Sequence, residues 1–230
     1  MAPVATARKY ETFADALDRV GNVSTSRVLL NPPPGTATEA DLLDSAATGG
    51  RVCELVDGIL VEKVMGFREE YLAAWILILI GRFLEQNNCG AAVGSQGAIR
   101  FKVGLVRMPD VSFIRWDSVE DTDAIENPDG AFLEVAPDLV VEVLSPGNTA
   151  REMAIKLDEY AKAGVRLVWY VDPTRQDVTV YPKGRERGKK VIGTDGTLDG
   201  GDVLPGFTLP VAKIFEKRGP AKKGKKKDKS

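Results

Sequence analysis

Pro137–Asp172, PDLVVEVLSPGNTAREMAIKLDEYAKAGVRLVWYVD, reads as strand, turn, helix and strand, and it decides the fold. Leu139-Val140-Val141-Glu142-Val143-Leu144 is a continuous apolar, β-branched run, the pattern of a strand covered on both faces. Glu142 interrupts it. A carboxylate in such a strand costs several kcal/mol if left unpaired, so the chain must aim a cation, a metal or strong donors at it. Thr149-Ala150-Arg151-Glu152 fits a capping box and Gly164 a C-terminal stop, so a helix of about four turns follows the strand. Met153, Leu157, Tyr160 and Ala161 form its sheet-facing stripe, and Lys156 borders that stripe. Two roles are open to Lys156: a surface partner for Glu152 at i,i+4, or the cation that Glu142 needs.

The whole chain narrows the chemistry. Its 230 residues are enough for one sizeable core, and 43% hydrophobic content is that of an ordinary globular protein. The first residues lack the apolar centre of a signal peptide. The longest apolar run, Leu72–Ile80, falls far short of the roughly 20 residues that span a bilayer. The expectation is a cytoplasmic protein without a membrane segment. Cys53 and Cys89 have no CxxC spacing, which indicates neither a zinc site nor a disulfide framework. The chain contains no histidine, which removes Ser-His-Asp and Cys-His nucleophiles, imidazole bases and His-ligated zinc together. Carboxylates, lysines and hydroxyls remain, and carboxylates suit hard ions such as Mg2+ or Mn2+. There is neither a P-loop nor a GxGxxG motif.

Three segments follow from composition: an N-terminal extension over 1–37, a folded domain over 38–216, and a basic, disordered tail over 217–230. The tail carries eight of the 31 Lys and Arg but one of the 33 acids, so the body is acidic. Such a tail can hold a polyanion without reading its sequence, or serve solubility alone. Phe13, Leu17 and Val20 suggest a short helix, and a second follows Thr38. Val52–Val64 reads as a hairpin turning at Asp57-Gly58. Phe67–Asn88 is the longest helix, with Gly90 just past it. Ala98–Val103 and Met108–Arg115 read as two strands joined through Gly104, the second with Asp110 at its start. The acidic stretch between Trp116 and Pro137 does not match a calcium loop. Asp177–Tyr181 and Lys190–Ile192 read as strands around a basic loop, Lys183–Lys189, open to solubility or phosphate contact. Asp195, Asp199 and Asp202 are read as turn residues.

A proline-aspartate strand, a second acidic strand and then a lysine is an order that resembles the PD-(D/E)XK nuclease superfamily, and more closely its Uma-type branch of restriction endonucleases. The matching text is Glu54-Leu55-Val56-Asp57-Gly58, Arg107-Met108-Pro109-Asp110-Val111 and Asp138–Pro146. It continues through Lys156 and Tyr160 to Gly164-Val165, Trp169–Pro173 and Leu204-Pro205-Gly206-Phe207. It covers roughly residues 38–215. The resemblance implies an α/β (α+β) fold with a restriction-endonuclease-like core: a mixed central sheet flanked by helices, with extra β-hairpins. It implies a metal-dependent endonuclease acting on nucleic acid, DNA in the first place; cutting both strands of a duplex would make a homodimer natural. The alternative is the same fold kept as an inactive binding module. Asp110, Glu142 and the backbone carbonyl of Val143 would hold Mg2+ or Mn2+. Asp110, Glu142, Lys156 and Glu54 would form the catalytic set.

Two departures matter. The superfamily lysine normally stands two residues after the second acid, where this chain has Leu144, so Lys156 on the next helix takes its place. The first core helix offers only Glu69 and Glu70 near its start. Geometry chooses between Pro109-Asp110 and Pro137-Asp138. Asp138 and Glu142 share one strand and stand roughly 13 Å apart, whereas Asp110 comes from a strand about 4.8 Å away. An ion that holds its ligands at roughly 2.1 Å can bridge only the second pair. Glu54 is either a further acid of the site or a hairpin residue paired with Lys63 or Arg51.

Overall fold

The computed structural model describes residues 10–47, 50–126, 130–216 and 219. The basic tail lies outside these residues apart from Gly219, as does Asp129 of the acidic stretch. Two short helices, α1 (Phe13–Arg19) and α2 (Glu39–Ala47), precede a hairpin of β1 (Cys53–Val56) and β2 (Ile59–Glu62). Its turn is Asp57-Gly58, with φ 46° and 82°, the left-handed pair that a two-residue hairpin needs. Helix α3 (Phe67–Asn87) stops at Asn88 (φ 21°). Gly90 opens a strand that the sequence reading does not assign, β3 (Gly90–Gly94); its two alanines and two glycines give little strand signal.

Next come β4 (Ile99–Lys102), β5 (Leu105–Arg107), β6 (Val111–Arg115), the one-turn helix α4 (Asp123–Glu126) and β7 (Leu139–Val143). Helix α5 (Ala150–Ala163) has the Thr149/Glu152 capping box and ends at Gly164 in the left-handed region, as its sequence predicts. Strands β8 (Leu167–Asp172), β9 (Asp177–Pro182), β10 (Lys190–Ile192), β11 (Thr197–Asp199) and β12 (Thr208–Pro210) lead to α6 (Val211–Phe215).

The strands form a six-stranded sheet in the order β10-β9-β8-β7-β6-β3, a four-stranded sheet β2-β1-β5-β4, and the pair β11-β12. Only β7 and β8 run parallel, joined by α5 as crossover; the other neighbours are antiparallel. The fold is mixed α+β with a mixed central sheet, as expected. One pairing differs from expectation. The hairpin through Gly104 joins β4 to β5, not to the strand that begins near Asp110. At Met108-Pro109-Asp110 the chain leaves the four-stranded sheet and enters the six-stranded one, because Pro109 has no amide to continue the first ladder.

Alternation along β7 sorts the layers. Leu139, Val141 and Val143 face α3, where Leu72, Ala73, Ile76 and Ile80 meet Trp169 and the β11-β12 pair. Val140 faces α5, against Met153, Leu157 and Tyr160. Glu142 has the parity of Val140 and points to the α5 side. The four-stranded sheet covers that side too, with Phe101 of β4 against Tyr160.

From Tyr10 onward the N-terminal segment is packed against the domain. Ala16, Val20 and Val28 share a core with Val56 and Ile59. Gly21 passes so close over the start of α5 that a Cβ there would stand 2.4 Å from the Glu152 backbone. Arg27 makes a two-pronged ion pair with Glu152 at 2.8 and 3.1 Å, both side chains under a tenth exposed. Truncating one partner of a buried pair strands the other charge. Arg27→Ala is therefore expected to cost about 3–5 kcal/mol, read as a lower midpoint in urea denaturation.

Candidate active site

The antiparallel register of β6 and β7 pairs Val111 with Val141, so one step further Asp110 stands opposite Glu142. The Val143 amide donates to Asp110 Oδ2 at 2.6 Å. The two acids are 3% and 4% exposed. Lys156 arrives from α5 and donates to Glu142 Oε1 and to Glu54 Oε1, each at 3.2 Å. Tyr160, one turn on, also donates to Glu142 Oε1 through a short hydrogen bond. The expected residues Asp110, Glu142, Lys156 and Glu54 thus meet in one buried cluster.

The two open assignments resolve by contact. Lys156 is 4% exposed and pairs with Glu142 and Glu54, while Glu152 belongs to Arg27. Glu54 pairs with neither Lys63 nor Arg51. It accepts from Arg107 at 2.8 Å and from the Met108 amide at 3.1 Å, and Arg51 pairs with Glu62. Asp138 is structural: it accepts from the Arg115 amide and the Ser118 hydroxyl and pairs with Arg166.

Sequence reasoning did not foresee the contacts of four participants. Arg107 links Glu54 to Glu159, and Arg19 contacts Glu159 from the other side at 2.8 Å. Tyr160 carries a matching residue type but no assigned contact. Lys63 places its ammonium 2.7 Å from Asp110 Oδ1. These partners come from segments distant in sequence, with no local signal between them.

Burial and charge act differently on the two glutamates. Burial opposes ionisation of Glu54, but Lys156, Arg107 and Lys63 outweigh it and hold its carboxyl well below the usual range. Burial pushes the Glu142 carboxyl up, and although Lys156 pulls it down, Asp110 and Glu54 repel its charge, so it lies above the usual range. Burial would neutralise Lys156, yet Glu142 and Glu54 raise it, and it stays an ammonium. Burial and the same two carboxylates keep the Tyr160 hydroxyl protonated, as a donor to Glu142 must be.

Asp110 also floors a cleft of about 390 Å3 between the first turns of α3 and the turn after β3, lined by Glu70, Ala73, Ser95 and Gln96. Ser95 donates to Glu70 at 3.2 Å. Glu69 instead folds back over Gly66, its carboxylate oxygen 2.3 Å from where a Cβ would stand. A larger cavity of about 670 Å3, under Arg166, Lys183, Arg185 and Lys190, contains none of the clustered residues. It opens near the start of β8, whereas Glu142 pairs with Tyr170 toward that strand's end.

Whether an ion fits is decided by the unspent oxygens. Tyr160 and Lys156 converge on Glu142 Oε1, leaving Oε2 outside the hydrogen-bond network. Asp110 Oδ1 is buried, and its close partner among the described residues is the Lys63 ammonium at 2.7 Å, which also donates to two carbonyls. Two hard oxygens on adjacent strands suit a hard cation. Among the described residues no three Asp, Glu, Cys or His side chains gather as a metal-binding group, so a bound ion needs backbone or water ligands as well.

A family model described as "Uma2: Putative restriction endonuclease" matches residues 40–212, well over half of the chain. The chain belongs to that family. Among solved structures, this Uma2 chain is similar to "a putative nuclease belonging to DUF820 from Anabaena variabilis ATCC 29413". The TM-score is 0.62 at 19% identity, over 76% of this chain and 97% of that one, a likeness of fold. No match was found among curated proteins. Among the described residues of the Uma2 chain no helix is long and apolar enough to cross a membrane.

The pH dependence of stability follows from Glu54. Its folded pKa lies below its unfolded value of about 4.3, so its contribution is fully present above that value and is lost as pH falls toward the folded one. Urea titrations between about pH 5 and pH 3 are expected to show a steeper loss in wild type than in Glu54→Gln. Equal slopes would mean that the ionised carboxylate contributes nothing.

Proposed function

We propose that the protein is a metal-dependent endonuclease that hydrolyses phosphodiester bonds of nucleic acid, DNA in the first place. Asp110, Glu142 and the Val143 carbonyl would hold Mg2+ or Mn2+. The observation that carries this reading is Asp110 opposite Glu142, with Lys156 on the second acid and a cleft reaching the first. Membership of a family described as restriction endonucleases supports it.

A divalent ion held there would acidify a bound water and neutralise charge on the phosphate. The chain's own residues supply the rest. The Val143 amide fixes Asp110 Oδ2, and Oδ1, which the Lys63 ammonium contacts, would be the oxygen turned to an ion. Tyr160 and Lys156 fix Glu142 by one oxygen. Lys156, kept protonated by two carboxylates, is a fixed positive charge for orienting the attacking water or stabilising the negative charge that develops on the phosphate. Glu54 acts through Lys156 as a positioning residue. Burial of the cluster excludes bulk water and strengthens these charges. Two copies would bring one such centre to each strand of a duplex, so a cytoplasmic homodimer is the working form.

A second reading has its own observation. Lys63, Lys156 and Arg107 already compensate the acids, as they would in a nuclease fold retained only for binding. Incubation with supercoiled plasmid and millimolar Mg2+ or Mn2+ separates the two. Wild type is expected to nick and linearise the DNA, with Asp110→Asn, Glu142→Gln and Lys156→Met each about 100-fold slower or worse. A wild type that binds the ion but cuts neither DNA nor RNA would decide for the binding module.

A further inference from the structure

Lys63 follows β2 directly, and its ammonium reaches three oxygens: the Ser95 carbonyl at 3.2 Å, the Met108 carbonyl at 2.5 Å and Asp110 Oδ1 at 2.7 Å. Two of its three donors serve the carbonyls and the third is left for Asp110, with which it forms an ion pair. A buried carboxylate needs such a charge, and among the described residues Lys63 is the cation in contact with Asp110. Oδ2 is taken by the Val143 amide, so Oδ1 is both the oxygen that Lys63 touches and the one open to a metal. The two cations therefore contend for a single atom, and their charges repel.

Resting on the metal-centre reading above, we infer that Lys63 is a tethered counter-cation: it holds Asp110 in place in the metal-free protein and is displaced from Oδ1 when a divalent ion binds. The residue type fits the task. A lysine ammonium is compact and swings on a flexible stem, whereas an arginine fork would lock the carboxylate. Displacement leaves it somewhere to go, because Ser95, which it already contacts, lines the cleft that reaches Asp110. The ammonium would then stand at the cleft wall as a positive charge facing the substrate side.

The test is Mn2+ binding to the full chain, followed by the paramagnetic signal of free Mn2+ and by melting temperature, without any substrate. Lys63→Met should melt below wild type in the absence of metal, bind Mn2+ about 10-fold more tightly or better, and regain the lost melting temperature as Mn2+ saturates it. Adding Asp110→Asn to Lys63→Met should abolish both Mn2+ effects, since the contested oxygen is gone. Lys63→Gln, which keeps a donor for the two carbonyls, serves the same comparison if Lys63→Met does not fold. Mn2+ binding to the Lys63 variant no tighter than to wild type overturns the role given to Lys63 and leaves the metal centre standing. Binding to the variant alone supports the role in its strongest form, and no binding to any of the proteins overturns the metal centre itself, and the role with it.

Discussion

The structure depends on one face of α5 on which three charges lie at i, i+4 and i+7: Glu152, Lys156 and Glu159, each under a tenth exposed. Opposite them stand Arg27, Glu54 and Arg107, so that minus, plus, minus meets plus, minus, plus. Buried ion pairs add little net stability, because desolvation offsets most of the attraction. Their strength lies in what they forbid. Shifting α5 by one turn along this seam would set Lys156 beside Arg27 or Arg107 and leave a glutamate against Glu54. The apolar stripe of Met153, Leu157 and Tyr160 fastens the helix to the six-stranded sheet, and the charged seam then fixes its register against the four-stranded one.

Register is what the site requires. Lys156 reaches Glu142 on one sheet and Glu54 on the other with the same ammonium, so its position is over-determined. Tyr160, one turn further, constrains the same oxygen of Glu142. The two glutamates are equally buried, yet their acidities diverge, because Glu54 has Arg107 and Lys156 while Glu142 shares Lys156 and has Asp110 beside it. The difference comes from the partners and not from the surroundings.

Much of this was legible from residues 137–172. A β-branched run, a capping box, an apolar stripe and a terminal glycine are local signals, and each marked an element that the structure contains. The conflict of Glu142 with its strand pointed to a partner, and the spacing of Lys156 from the stripe supplied one. What stayed hidden was non-local. Charges at i, i+4 and i+7 look the same whether they face solvent or a second layer, so Lys156 and Glu152 read equally well as a surface pair. Nothing in the sequence around Arg107 or Lys63 indicates which acid each meets, because those acids lie on other strands. The extra strand Gly90–Gly94 escaped for a different reason: its small residues suit close backbone approach and lack the side chains by which strands are recognised.

The proline before Asp110 explains how both sheets contribute to one site. Leu105–Arg107 belongs to the four-stranded sheet and Val111–Arg115 to the six-stranded one, and three residues connect them. A strand that continued through position 109 would keep donating to its first neighbour. Proline cannot, so the ladder ends and the chain crosses. The residues on either side of the crossing, Arg107 and Asp110, are carried into the same buried region from opposite sheets, with the Met108 amide between them on Glu54 and the Met108 carbonyl on Lys63. Asp138 also follows a proline, but it starts a strand inside a sheet already formed, and its carboxylate is spent on the Arg115 amide and Ser118. Of these two aspartates, the one at the crossing between sheets meets Lys63 beside the clustered acids, whereas Asp138 pairs with Arg166 outside the cluster.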